Sequence, residues 1–313
     1  MMRFVRDGAS WFAIEVGLRD RYDRDGNSMD DHQWAVSTTI DALPVGFQRY
    51  PDPRPAYRAY HHAIRDKQAE GYVLVVDGLP LQESAPATFS PQPQLEAVLD
   101  ASLSDDAAWL RLATAWSGAG DPRGACVLAS LESKTIADPA LFLQRKKLGE
   151  AARRSRNWHL LGPLEGDAYR VETTFQRGLL DGVRIATETE SGGRTTAELL
   201  TSILMNPTAR FVTKLAVEAR DLPDLVAALG AARLPTLTTL RILTPWSSRL
   251  MGDLLEWIAG HPRLEEVELS TRWWDSTDHG AEEVAIAEEW MTHPERWPSS
   301  LRRFAFRGKE QLR

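Results

Sequence analysis

An α/β chain whose second half is built of tandem strand–helix units is predicted by three observations. A six-residue phrase, apolar-x-x-apolar-x-apolar, occurs five times, at 180–185, 212–217, 237–242, 264–269 and 301–306. Segments with helical apolar spacing lie between successive phrases, at 196–206, 222–232, 248–260 and 281–291. Pro235, Pro262 and Pro298 stand two or three residues ahead of three phrases, so the context recurs with the phrase.

The elements follow in chain order. Trp11 to Val16 alternates apolar and polar residues and predicts a strand, as does the β-branched run from Trp34 to Ile40. Tyr57, Tyr60 and Ile64 fall at helical spacing over 56–69, Gly71 closes that helix, and Tyr72 to Val76 is a further strand. Prolines 80, 86, 91 and 93 mark a linker over 79–94. A helical segment spans 95–165. Leu95, Val98, Leu99 and Leu103 share a face, and Asp105 or Asp106 caps a second helix carrying Trp109, Leu110, Ala113 and Trp116. Asp121 and Pro122 open a third helix, and 141–156 predicts a fourth. From about Gly166 the phrase takes over. Its pivots Val183, Leu215, Leu240, Val267 and Phe304 are 32, 25, 27 and 37 residues apart. The domain reading is therefore 1–78, linker 79–94, 95–165 and 166–313.

Composition bounds what the chain does. Its 313 residues are 43% hydrophobic and 26% charged, ordinary for a well-cored protein. A net charge of −7 argues against whole-molecule attraction to nucleic acid or an anionic membrane. The single cysteine, Cys126, fits a reducing compartment. Charge within the first seven residues leaves no signal-type apolar run, and no window is long and apolar enough for a membrane span. Cytoplasmic location and no membrane partner are the expectations.

Three family resemblances add to this reading. The repeated phrase resembles the strand of a leucine-rich repeat, whose units run ~20–29 residues. The resemblance implies an irregular solenoid, because Glu188, Arg220, Pro245, Arg272 and Lys309 stand where the family places a turn-bonding Asn. Trp109-Leu-Arg-Leu-Ala-Thr-Ala-Trp116, Gly120-Asp-Pro-Arg-Gly124, Leu160-Leu-Gly-Pro-Leu164 and Phe175-Gln-Arg-Gly-Leu179 resemble a bacterial helical companion domain that precedes such repeats and would cap their first apolar end. Residues 1–76, with Arg65-Asp-Lys67 and Gly71-Tyr72 closing the helix, are similar to a WGR domain in degenerate form. Trp34-Ala-Val36 stands in place of the Trp-Gly-Arg phrase. In poly(ADP-ribose) polymerases such domains contact DNA through that Trp and Arg. Here the Arg is missing, and residues 1–76 hold 10 Lys/Arg against 11 Asp/Glu.

The expected fold is thus an irregular leucine-rich-repeat solenoid behind a helical capping domain and a small α+β WGR-like domain. Within each phrase, strand alternation turns the residue between the last two apolar positions outward. That places Arg184, Ala216, Arg241, Glu268 and Ala305 in one row, with Lys214, Glu218, Thr239, Glu266, Ser270, Arg303 and Arg307 beside them. Arg272-Trp273-Trp274 follows the fourth phrase, and Trp is enriched at interaction hot spots. The residues proposed to contact a partner are Arg184, Lys214, Glu218, Arg241, Glu266, Glu268, Arg272, Trp273, Trp274 and Arg303.

Other constellations carry less. Asp275, Asp278, His279, Glu282 and Glu283 match no metal-ligand spacing and suit a helix start. His61 and His62 point about 100° apart on a helix. Gly118-Ala-Gly120-Asp-Pro-Arg-Gly124 follows a helix where a dinucleotide loop needs a strand. Arg123 suits a structural salt bridge. No hydrolase, kinase or zinc signature occurs, so no catalytic, cofactor or metal residue is nominated. The expected function is a non-catalytic protein-interaction module, an adaptor or an accessory or inhibitory subunit. The alternatives are nucleic-acid binding through the WGR-like domain and a hydrolase with an unrecognised site.

Overall fold

The computed structural model describes residues 2–6, 10–22, 28–41, 43–76, 79–80, 89–133, 167, 170–186, 194–219, 222–232, 234–244, 251–271, 278–306 and 309–312. The chain is mixed α/β and forms two compact units, the first within Met1–Ala87 and the second within Thr88–Lys134 and Arg170–Arg313.

Among the described residues, the first unit is a six-stranded sheet with helix α1 on it. Strands β1 (Met2–Arg6), β2 (Ser10–Tyr22), β3 (Ser28–Ile40), β4 (Leu43–Tyr50), β5 (Val73–Val76) and β6 (Leu79–Pro80) are ordered β4-β3-β2-β1-β5-β6, all antiparallel. Helix α1 (Pro53–Ala69) starts at Asp52, whose side chain accepts from the Arg54 amide, and ends at Gly71, which adopts φ +89°. Its buried residues Ala56, Tyr60 and Ile64 pack on Phe4, Phe12, Ile14 and Val36 of the sheet, with Tyr72 closing the core. β2 and β3 are longer than predicted, β5 begins one residue after the predicted strand, and β1, β4 and β6 are additional. Residues 43–49 of β4 are all exposed, so that strand has no periodic burial for a sequence to display.

Burial gives this unit a pH dependence. His61 lies on α1, is 4% exposed, and is pushed down to about 3 by desolvation and then by the charge of Arg65. A free imidazole titrates near ~6.5, so protonation favours the unfolded chain once pH falls below that value. The stability held by neutral His61 is complete above ~6.5 and is lost as pH drops towards 3. Urea denaturation of wild type and His61→Leu at neutral and mildly acidic pH should show the larger acid loss in wild type. Equal losses would remove His61 as the cause.

The second unit packs helices α2 (Pro93–Ala101), α3 (Asp106–Gly118) and α4 (Pro122–Ser133) against a seven-stranded sheet. Leu99, Trp109, Leu112, Trp116 and Val127 share one core with Leu179 and Phe211. Phe211 ends a short 3-10 helix, Pro207–Phe211, and meets the Trp109 ring edge-on with centroids 4.9 Å apart. α2 starts earlier than its apolar face suggests, because Pro93 occupies its first turn. The Pro-rich stretch before it is tied in at Ser90, whose amide donates to Asp121 Oδ2 at 2.7 Å. The helix expected over 141–156 lies outside the described residues.

The sheet has the order β13-β12-β11-β10-β9-β8-β7. Strands β8 (Leu179–Ile185), β9 (Lys214–Glu218), β10 (Thr239–Thr244), β11 (Glu266–Thr271) and β12 (Arg303–Phe306) run parallel. Antiparallel β7 (Val171–Gln176) and β13 (Lys309–Leu312) close the two edges. Helices α5 (Thr196–Leu204), α6 (Leu222–Ala231), α7 (Met251–Ala259) and α8 (Asp278–Thr292) connect the parallel strands in chain order. All three apolar positions of all five phrases are buried, from Leu180, Val183 and Ile185 to Leu301, Phe304 and Phe306. The phrase is therefore a core phrase. The strands β7 and β13 carry no copy of it, so neither was predicted, and Lys309 is a strand residue of β13 and not the turn residue its spacing suggested.

α5 opens with a capping box: the Glu198 amide donates to Thr195 Oγ1 at 3.1 Å, and the Thr195 amide donates to the Glu198 carboxylate at 2.8 Å. Thr195→Ala should cost about 1 kcal/mol in chemical denaturation. An unchanged midpoint would show that α5 is held by its buried face alone.

Candidate functional site

The site is the polar face of the parallel sheet, and it is set from the backbone up. Just before β9, β10 and β11, one carbonyl receives two amides from the next unit. Thr213 O accepts from Thr238 and Thr239, Thr238 O from Glu265 and Glu266, and Glu265 O from Arg302 and Arg303, all at 2.8–3.0 Å. Thr236 Oγ1 donates to Val212 O at 2.9 Å and Thr238 Oγ1 to Thr213 O at 3.1 Å. These bonds occupy the phrase's second and third positions and lock the strands in register. Register then aligns Arg184, Ala216, Arg241, Glu268 and Ala305 across five strands. A neighbouring row runs Gly182, Lys214, Thr239, Glu266 and Arg303.

The expected outward residues are thereby brought together, with one correction. Ala305 is buried at 6% exposure. It is flanked in register on both sides, by Glu268 of β11 and by Glu310 of the edge strand β13. Arg184, Lys214 and Arg241 have side chains 54%, 65% and 57% exposed. Arg184 pairs with Glu172 at 3.3 Å and Glu218 at 3.5 Å, Lys214 with Asp181 at 4.0 Å, and Arg241 with Glu268 at 3.3 Å. Arg303 pairs with Glu310 at 3.0 Å, and that bond holds the guanidinium pKa above its usual value. Between the cations the face dips to Gly182 and Ala216, with Thr174 and Glu172 on the β7 side and Glu266 on the far side. A Cβ on Gly182 would stand 2.5 Å from Thr174 Oγ1, so this floor is filled by its neighbours.

Arg272, Trp273, Trp274 and Asp275 lie outside the described residues, as does Arg307. Further along, Trp290 and Trp297 stack at 5.7 Å, and both rest on Phe304. Among the described residues no group of His, Cys, Asp and Glu is placed to hold a metal ion. No helix among them is long and apolar enough to cross a membrane.

Two buried arginines tie the second unit together. Arg123 forms the structural salt bridge its position suggested: its guanidinium pairs with Asp121 at 2.7 Å. It also donates to Pro207 O at 3.1 Å and lies over the Trp116 ring at 4.1 Å. Arg170 was missed by sequence reasoning. It is 2% exposed and donates to Ala186 O, Arg194 O and Thr196 Oγ1, while Thr196 Oγ1 donates on to Glu218 O. An isolated Arg ahead of the first phrase carries no pattern that would mark it as buried.

Compared with protein-family models, with curated proteins and with solved structures, the chain matches none.

Proposed function

We propose that the protein is a non-catalytic interaction module that holds a protein partner on the open face of an irregular leucine-rich-repeat solenoid. Helices α2–α4 act as its helical companion cap, and the first unit is a WGR-like domain. The adaptor reading extends to an accessory or inhibitory subunit working beside an enzyme, in the cytoplasm. The observation that carries it is the aligned row of Arg184, Arg241 and Glu268, with the two cations more than half exposed on three of the five parallel strands. A row held in register by backbone bonds presents charge at fixed spacing, which suits recognition of a complementary protein surface. The carbonyls that each accept two amides at strand entries and the burial of every apolar phrase position support the repeat reading. The shared core of α2–α4 with Leu179 and Phe211 supports the cap, since a first repeat would otherwise expose an apolar end.

The experiment is a charge reversal, Arg241→Glu with Glu268→Arg. The pair is 57% and 40% exposed, so its contribution to stability is about 0–1 kcal/mol and the melting temperature should hold. Binding to the partner recovered from native lysate should weaken. Loss of the fold, or undiminished binding by the folded variant, would count against the face.

A further inference from the structure

We infer that the segment held on this face is an extended peptide with an acidic side chain over the β8–β10 cations and a basic side chain two residues away. The inference rests on the partner-binding reading above and names the chemistry of that partner. Within the two aligned rows, charge is sorted by strand. Arg184, Lys214 and Arg241 stand on adjacent β8, β9 and β10, whereas β11 presents Glu266 and Glu268 in the same two rows. A carboxylate entering over Ala216 and Thr239, between β9 and β10, meets Lys214 and Arg241 with Arg184 one strand beyond, and a cation over β11 meets Glu266 and Glu268.

Spacing fixes the peptide's pattern. Neighbouring strands lie about 4.8 Å apart, so a point midway between β9 and β10 is roughly 7 Å from β11. Same-side residues of an extended peptide repeat every ~6.7 Å. An acid-x-base sequence crossing the strands therefore matches both charge groups at once. The face's own ion pairs do not block this, because exposed pairs at 3.3–4.0 Å are weak and exchange with incoming charge. Nucleic acid fits poorly, since a phosphate chain crossing the strands carries its next negative charges over Glu266 and Glu268 of β11, where the peptide carries a cation.

The test selects a random linear peptide library on the purified full chain and measures the enriched peptides by fluorescence anisotropy. Enriched sequences should carry acid-x-base. Their affinity should fall at least ~10-fold with Lys214→Glu or Arg241→Glu, and exchanging the peptide acid for Lys should restore binding to Lys214→Glu. Ala216→Trp, which fills the floor, should abolish binding while circular dichroism stays unchanged. Peptides that lack acid-x-base yet are blocked by Ala216→Trp would overturn the charge assignment and leave the face as a binding site. Peptides insensitive to Ala216→Trp and to both charge reversals would overturn the two together.

Discussion

Arg123→Ala is expected to lower the melting temperature of the second unit by roughly 10 °C. The substitution leaves the Asp121 carboxylate buried without its partner, and breaking a buried pair costs about 3–5 kcal/mol. In a unit of this size each kcal/mol moves the midpoint by about 2–4 °C. The same change also loses the donor to Pro207 O and the cation over Trp116. Arg123→Lys keeps the charge but not the fork that engages Asp121 and Pro207 together, so it should recover only part of the loss. Differential scanning calorimetry checks both variants. A melting temperature within two degrees of wild type for Arg123→Ala would show that the pair is spectator to the packing around it.

Phe211→Ala should be comparably severe and more selective. Phe211 is 4% exposed and touches both Trp109 and Trp116, so its removal opens a cavity where the helices meet the sheet. Large-to-small changes at such aromatic sites cost about 3–5 kcal/mol. The cap reading adds a second expectation. Amide hydrogen exchange should quicken in α2–α4 and in β8, the strand facing them, before it changes in β11 and β12. Uniform quickening across the sheet would mean that the helices belong to one indivisible core and do not cap an end.

Much of the fold was legible because its signals are local. The five phrases give strands β8 to β12, since each needs the same three buried positions, and of the two caps expected, Asp105 or Asp106, Asp105 opens α3. The row of Arg184, Arg241 and Glu268 follows from alternation alone. What was not legible depends on pairing across distance. β7 and β13 are strands because they bond to β8 and β12, and β4 because it bonds to β3, its alternating Leu43, Val45 and Phe47 all being exposed. The burial of Ala305 depends on Glu310, in a strand the phrase does not announce. Arg170 is held by two backbone carbonyls and a hydroxyl, partners no one-dimensional pattern encodes. The entry-carbonyl ladder was missed for the same reason, although its positions recur with the phrase.

The most direct test of the sheet face places a photo-crosslinking amino acid at Thr239, on the polar row of β10, and separately at Glu256, on the exposed side of α7. Each full-length variant is irradiated in native lysate with nuclease present, and adducts are resolved by mass. The account predicts one discrete protein adduct from Thr239, abolished by Arg241→Glu with Glu268→Arg, and none from Glu256. Equal adducts from both positions, or none from Thr239 beside a nuclease-sensitive complex, would contradict it.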